Sequence, residues 1–484
     1  MTKCNAFKNL KNDDYMALPE LKKSDLPDRT GSFWKIAGPG AVLVGLSIGA
    51  GEIVIWPRIV AQYGASMIWA AVLGVTLQLI VNLEIGRWTI ATGETIFTGY
   101  TRVWKGFGIT FIFLTLVGWV APGWARASGL ALKGLIVGPE GYGSDTFWTI
   151  ITFMMVVAIL FGPKIVYQSV EKTIMMLVVL VTAGLIILAF AVGSAELWIK
   201  LGRGITNVGY MEPNISVKTF FIALVFAGAG GTANLFYSFY LRDKNIGMGA
   251  KIPRMTSPLR EKKEAIPTSG FIFDETPKNL ERFQSWWNYL RIDQTLFFWF
   301  LNTFTILLFV FGALAVLHPL GIVPAPGTLI WDEAEILAHI WGETGRTIFL
   351  VVGFATLFGT QLALVDGCSR SIADIIYTNN ELARKKGLSW LYLLIASIWM
   401  LAGCIITFVM EQYGITDLGF LLNAAYMGGF AMAIYVPLTL FINHKFLPKQ
   451  IRPNFFSTSL MVIASMIYIG FAVASIIWEV TSRI

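Results

Sequence analysis

Glu52 closes the run Gly49-Ala50-Gly51-Glu52 in the middle of an apolar stretch, residues 38–62. A second run, Ala227-Gly228-Ala229-Gly230-Gly231-Thr232, interrupts the stretch 217–241 and is followed by Asn234. A carboxylate, a carboxamide and backbone loosened by glycines are groups that hold a small ion or solute. No nucleophile–base pair, metal cluster or nucleotide loop accompanies them, so the pattern does not describe an enzyme. Each glycine costs a helix interior about 1 kcal/mol relative to alanine. Inside a bilayer such a run is tolerated only where the freed N–H and C=O groups meet protein or line a cavity. Gly49, Ala50, Gly51, Glu52, Gly228, Gly230, Gly231 and Asn234 are therefore the expected substrate-binding residues. Arg126, Thr356, Thr360 and Asn423 are further polar residues within apolar stretches. Charge at such depth is costly and marks function by default, so Glu52 and Arg126 lead the coupling or gating candidates, with Thr356, Thr360 and Asn423 beside them.

The elements that carry these residues follow from composition. Of 484 residues, 55% are hydrophobic and 14% charged, with a mean hydropathy of +0.65. A soluble chain carries about 25% charged residues. An all-α integral membrane protein is expected. Eleven stretches are near the roughly 20 residues that cross a bilayer: 38–62, 66–86, 108–132, 147–163, 173–195, 217–241, 294–316, 346–366, 388–410, 418–441 and 455–478. Three cysteines supply no disulfide framework, and three histidines supply no His-rich metal site. The first 35 residues contain no cleavable signal pattern. With the N-terminus inside, 29 of the 37 Lys and Arg fall in cytoplasmic segments and 6 in external ones, as the positive-inside rule requires. This predicts a multi-pass protein of the plasma membrane with an external C-terminus. The net charge of +7 then faces anionic lipid headgroups, and no nucleic acid partner is implied.

The chain divides into a cytoplasmic segment 1–35, a first repeat with helix 6 over 36–241, a cytoplasmic loop 242–293, the remainder of a second repeat over 294–441, and helix 11 with the C-terminus over 442–484. Loop 242–293 closes on an amphipathic helix at 279–291, and the acidic external loop 317–345 reads as solvated. The two interruptions lie five stretches apart, at matching places in stretches 1–5 and 6–10. An odd number of crossings per half gives the halves opposite topologies. That predicts an inverted 5+5 repeat with unwound helices 1 and 6, the pattern that marks a secondary transporter's binding site.

Gly38-Pro39-Gly40, the break at 49–52, Ala61-Gln62-Tyr63-Gly64, Ala91-Thr92-Gly93, Val170-Glu171-Lys172 and Asn234-Leu235-Phe236 together resemble the Nramp-type metal-ion transporters. The likeness runs from about residue 36 to 450. It implies the LeuT-type fold, alternating access and, as the family's default, divalent metal-ion transport, with H+ as the coupling ion. The family's Asp-Pro-Gly-Asn corresponds to Gly49-Ala50-Gly51-Glu52, and its Met-Pro-His-Asn to Gly231-Thr232-Ala233-Asn234. The acids expected on the third helix are replaced at Gly123 and Arg126.

Glu52 is thus the single candidate metal ligand with a charge, short of what a divalent transition metal asks for. Two readings stay open. One is a metal-ion symporter of altered selectivity. The other is a transporter of an organic anion or zwitterion, held by the glycine-rich breaks, Glu52 and Arg126. Hydroxyls of Thr356 or Thr360 facing helix 1 would suit Na+, a weaker expectation than H+. The expected surroundings are the lipid bilayer and a small transported solute or ion.

Overall fold

The computed structural model describes residues 18–29, 31–120, 122–162, 165–256, 266–325 and 327–481. Among them, eight helical runs are long and apolar enough to cross a membrane. The eleven expected crossings take in these eight together with a shorter apolar helix and the two interrupted segments. The first interrupted segment comprises α1 (Pro39–Ser47), a π-helical turn over Ile48–Glu52, and α2 (Trp56–Tyr63). Next come α3 (Ile68–Thr92), α4 (Gly106–Trp119), α5 (Gly123–Ile136), the shorter α6 (Asp145–Phe161) and α7 (Val166–Val192). The second interrupted segment comprises α8 (Val217–Val225), a 3-10 stretch over Gly231–Phe236, and α9 (Tyr237–Asp243).

The second half continues with α10 (Pro277–Asp293), which runs through a π-helical stretch, Gln294–Leu301, into α11 (Asn302–Gly312). Then follow α12 (Leu329–Asn379), α13 (Leu388–Gln412), α14 (Asp417–Phe446) and α15 (Phe455–Thr481). Serines start several of these helices. Ser144 accepts from the Phe147 N–H at 3.2 Å and Ser216 from the Thr219 N–H at 3.0 Å, satisfying amides that the helix itself leaves free.

Burial separates centre from rim. Every residue of α1 is buried, and α8 is buried from Phe220 to Val225. On α13 and α15, Ile398, Leu401, Ile405, Ile476 and Ile477 are exposed, apolar surface suited to lipid. The interrupted segments therefore lie at the core of the bundle. This is the LeuT-type fold, with its inverted repeat and with helices 1 and 6 unwound.

One end of the bundle gathers the basic loops. There β1 (Lys22–Lys23) pairs in parallel with β2 (Phe271–Ile272), Asp28 accepts two hydrogen bonds of 2.6 Å from Arg282, and the Gln450 N–H donates to Glu275 at 2.9 Å. The expected amphipathic helix is α10. The solvated loop expected at 317–345 is otherwise. Its residues from Leu329 onward are helical up to a kink at Trp341–Gly342, and Glu333 is fully buried. Apolar neighbours at Ile330, Ala334 and Leu337 turn that face of the helix inward.

Candidate functional site

The two breaks meet. A Cβ on Gly51 would overlap the carbonyl of Phe226, so this glycine is required by the contact itself. Gly49 is equally confined: a Cβ there would lie 2.7 Å from the Thr356 carbonyl oxygen and against the Thr360 hydroxyl. An acidic side chain at position 49 has no room.

Trp124 of α5 donates its indole N–H to the Gly49 carbonyl at 2.9 Å. Trp119 of α4 donates to the Thr232 hydroxyl at 2.9 Å. Their rings lie 5.2 Å apart, and Phe226 stacks on Trp119 at 5.7 Å. These three rings form an aromatic cover joining α4 and α5 to both breaks.

Gln78, within α3, holds the second break open in a fixed shape. Its Nε2 donates to the Val225 carbonyl at 2.8 Å. Its Oε1 accepts from the Gly230 N–H and from Asn234 Nδ2, each at 3.0 Å. Asn234 Nδ2 also reaches the Tyr435 hydroxyl at 3.1 Å, leaving its Oδ1 without a partner. Gly230 has φ +65, a left-handed conformation that glycine adopts at no steric cost. Gly228 and Gly231 complete this break, Gly228 against the Gln78 carboxamide and Gly231 with its Cβ direction 2.9 Å from the Gly428 Cα.

Glu52 is fully buried, and neither of its carboxylate oxygens has a hydrogen-bond donor among the described residues. Thr305 of α11 faces it. That hydroxyl also lies 3.0 Å from the Leu301 carbonyl and 3.2 Å from the Asn302 carbonyl, so its one proton can turn to either carbonyl or to Glu52. One turn away on the same helix, Asn302 donates Nδ2 to the Ala227 carbonyl at 2.9 Å, leaving its Oδ1 free.

Several expected residues lie elsewhere. Arg126 does not approach Glu52; it pairs with Asp145 at 2.9 Å and donates to the Ile415 carbonyl. Its helix α5 starts only at Gly123, and Arg126 projects to the end where α6 begins and α14 is about to start. Asn423, expected at depth, is exposed on α14. Thr356 returns its hydroxyl to its own helix, 2.8 Å from the Val352 carbonyl. Thr360 does face helix 1, donating to the Leu46 carbonyl at 2.9 Å. The side chain of Ala50 lies outside the described residues.

Asp366 and Arg370, at the far end of α12 from its kink, are both buried. Arg370 binds Asp366 at 2.8 Å and also Asp243. Arg242 binds Asp374 at 3.0 Å, and Tyr392 donates to Asp366 at 2.7 Å. This network closes the basic end of the bundle beneath the breaks.

Sequence reasoning missed Gln78, Asn302, Thr305, Trp119 and Trp124. The signal was present as a carboxamide in stretch 66–86 and a polar pair three residues apart in stretch 294–316. What was absent was any means of knowing which face they occupy.

No protein-family model matches the chain, and no curated protein matches it. Solved structures do. A manganese transporter of Eremococcus coleocola, in complex with an aromatic bis-isothiourea substituted compound, superposes with a TM-score of 0.68 at 15% identity, covering 95% of this chain and 90% of that one. Mhp1, a nucleobase-cation-symport-1 family transporter in a closed conformation with bromovinylhydantoin bound, superposes with a TM-score of 0.51 at 14% identity, covering 90% and 84%. At such identities the likeness is one of fold. Membership of the Nramp-type family, expected from the short motifs, is therefore corrected: no family model carries it, and the neighbours of this fold handle unlike substrates. Small residues at two helix breaks are demanded by the fold itself, so they report architecture more strongly than descent.

Proposed function

We propose that this chain is a secondary active transporter working by alternating access, with a cation as its cargo and the site between the two breaks. One observation carries the choice of cation: Glu52 is fully buried with both oxygens lacking a donor and no described cationic side chain paired to it. A carboxylate desolvated in this way is stable only when protonated or when it holds a cation. The alternation of those two states is a route to H+ coupling: cargo displaces the proton on loading, and the proton returns on release. Thr360 against the Leu46 carbonyl is the corresponding feature for Na+, though its own proton already satisfies that oxygen.

The reading as an organic anion or zwitterion transporter depended on Arg126 and on open amides at the breaks. Arg126 is matched by Asp145, and the Gly230 N–H is already taken by Gln78. Neither remains for a carboxylate. The charge bias of the loops supports a plasma-membrane protein whose basic end, with the N-terminus, is cytoplasmic.

Purified protein in proteoliposomes tests the reading. Cation uptake driven by an outward H+ gradient, the direction that exchange at one carboxylate requires, or failing that by inward Na+, is expected in the wild type and lost in Glu52→Gln. Unchanged uptake in that variant at every pH would overturn it.

A further inference from the structure

We infer that the outward face of α10 and its π-helical continuation holds one anionic phospholipid, with the headgroup on Arg291 and an acyl chain along Leu296, Trp299 and Phe300. The lipid site stands independently of the transporter reading; its effect on uptake rests on that reading.

A groove of about 890 Å3 runs along these turns, within the roughly 300–1,000 Å3 of small-molecule sites. One end of it is polar, at Asn288 and Arg291; the rest is apolar, at Ile292, Leu296, Trp299 and Phe300. The Arg291 guanidinium donates to the Asn288 side chain, and no carboxylate pairs with it among the described residues. A guanidinium left without an acid presents the planar fork of donors that phosphate oxygens accept. Deeper in the groove, the Trp299 indole N–H is fixed on the Thr76 hydroxyl at 2.9 Å, so the ring is anchored as part of the apolar wall.

Aromatic neighbours set the depth. Phe33 packs against Tyr289 and Phe297, and Trp34 beside it is exposed. Tryptophans of this kind sit at headgroup level, which places Arg291 there and the apolar turns below. Arg291 and Phe300 are nine residues apart, about 13 Å at the helical rise. That is close to half of a roughly 30 Å hydrocarbon core. The groove is therefore charged where a headgroup lies and apolar along the first half of the membrane. On the charge bias of the loops this is the cytoplasmic end, whose leaflet carries the anionic lipids.

The opposite face of the same turns reaches both interrupted segments. A Cβ on Gly40, in the first turn of α1, would lie 2.7 Å from Asp293 Oδ2. That oxygen accepts from the Tyr237 hydroxyl of α9 at 2.9 Å. A Cβ on Gly228, in the second break, would lie 3.0 Å from the Phe298 ring. The stretch between is π-helical, a geometry that is rare and frequent at functional sites. A lipid seated outside thus steadies the turns that touch both breaks inside.

Native mass spectrometry of the purified full-length protein, with phosphatidylglycerol or phosphatidylcholine added, tests the site. The wild type is expected to retain phosphatidylglycerol over phosphatidylcholine by about fivefold, the equivalent of roughly 1 kcal/mol for one basic residue at the surface. Arg291→Ala should bring the two lipids to parity, and Arg291→Lys should keep the preference. Leu296→Trp, which fills the groove, should lower retention of both. Lys385→Ala, which removes an exposed charge at the same end of the bundle, should change nothing. Equal retention of the two lipids by the wild type, or an unchanged preference in Arg291→Ala, would overturn the site. Arg291 is exposed, so its variants decide the matter even where Leu296→Trp fails to fold.

In proteoliposomes, cation uptake is expected to rise when phosphatidylglycerol joins phosphatidylcholine, and Arg291→Ala should abolish that rise. Selective retention with uptake indifferent to lipid would overturn the control of the breaks and leave the site standing. Absence of uptake in every lipid would overturn the transporter reading, with the mass spectra still deciding the site.

Discussion

Replacing Gln78 by methionine removes the one side chain that spans the second break while keeping its length and flexibility. The loss can be counted atom by atom. Three hydrogen bonds disappear, to the Val225 carbonyl, the Gly230 N–H and Asn234. Asn234 keeps the Tyr435 hydroxyl, so only Val225 and Gly230 are orphaned, and both are buried. An unsatisfied buried backbone group costs about 1–3 kcal/mol, which for two gives roughly 2–6 kcal/mol. Side-chain hydrogen bonds inside membranes average about 0.6 kcal/mol each by mutant cycles, so three give a floor of about 2 kcal/mol. The expected loss of stability is therefore about 2–5 kcal/mol, read as a lowered melting temperature by tryptophan fluorescence in detergent. Gln78→Glu keeps the acceptor for Gly230 and Asn234 but loses the donor to Val225, and should fall between the two. Cation uptake should drop in Gln78→Met even below its melting point, because the break no longer holds one shape. Wild-type melting and wild-type uptake in Gln78→Met would refute the claim that this side chain sets the break.

Gly51→Ala places a methyl group against the Phe226 carbonyl; the folded yield should collapse, and a stable, transporting variant would mean the two breaks can separate freely. Arg126→Ala should lower stability by about 1–2 kcal/mol, because Asp145 is left partly solvated rather than buried, while uptake persists. Adding Glu52→Gln should restore none of that stability, and recovery in melting experiments would return Arg126 to the site. At the basic end the Arg282 guanidinium, through its hydrogen bonds, holds the Asp28 carboxyl below its usual range. A depressed carboxyl contributes stability above its unfolded pKa, about 3.9, and loses it as pH falls through the lower folded value. Attachment of residues 18–29, followed by limited proteolysis, should therefore be constant from pH 8 to 5 in the wild type and weakened across that whole range in Asp28→Asn.

The membrane class, the crossing segments and the two breaks were legible in the sequence because each rests on local composition. Twenty apolar residues must span, and the five glycines of the two runs at mid-depth must interrupt, whatever their neighbours. Glu52 was legible for the same reason: a charge in such a segment is rare enough to stand out. Which groups face Glu52 was not legible, because that depends on how helices rotate and cross. Arg126 shared its depth in the sequence, yet α5 carries it to Asp145. Asn302 and Thr305 looked like ordinary polar residues of the seventh stretch until α11 set Asn302 on the Ala227 carbonyl and Thr305 beside Glu52. The π-helical stretch Gln294–Leu301 just before them changes the angular register, so a 3.6-residue period read from sequence would aim them elsewhere. The same limit applies to the buried Asp366–Arg370–Asp243 network, whose partners are far apart in the chain. Local composition decided where the helices break; only the packing of distant helices decided what surrounds the break.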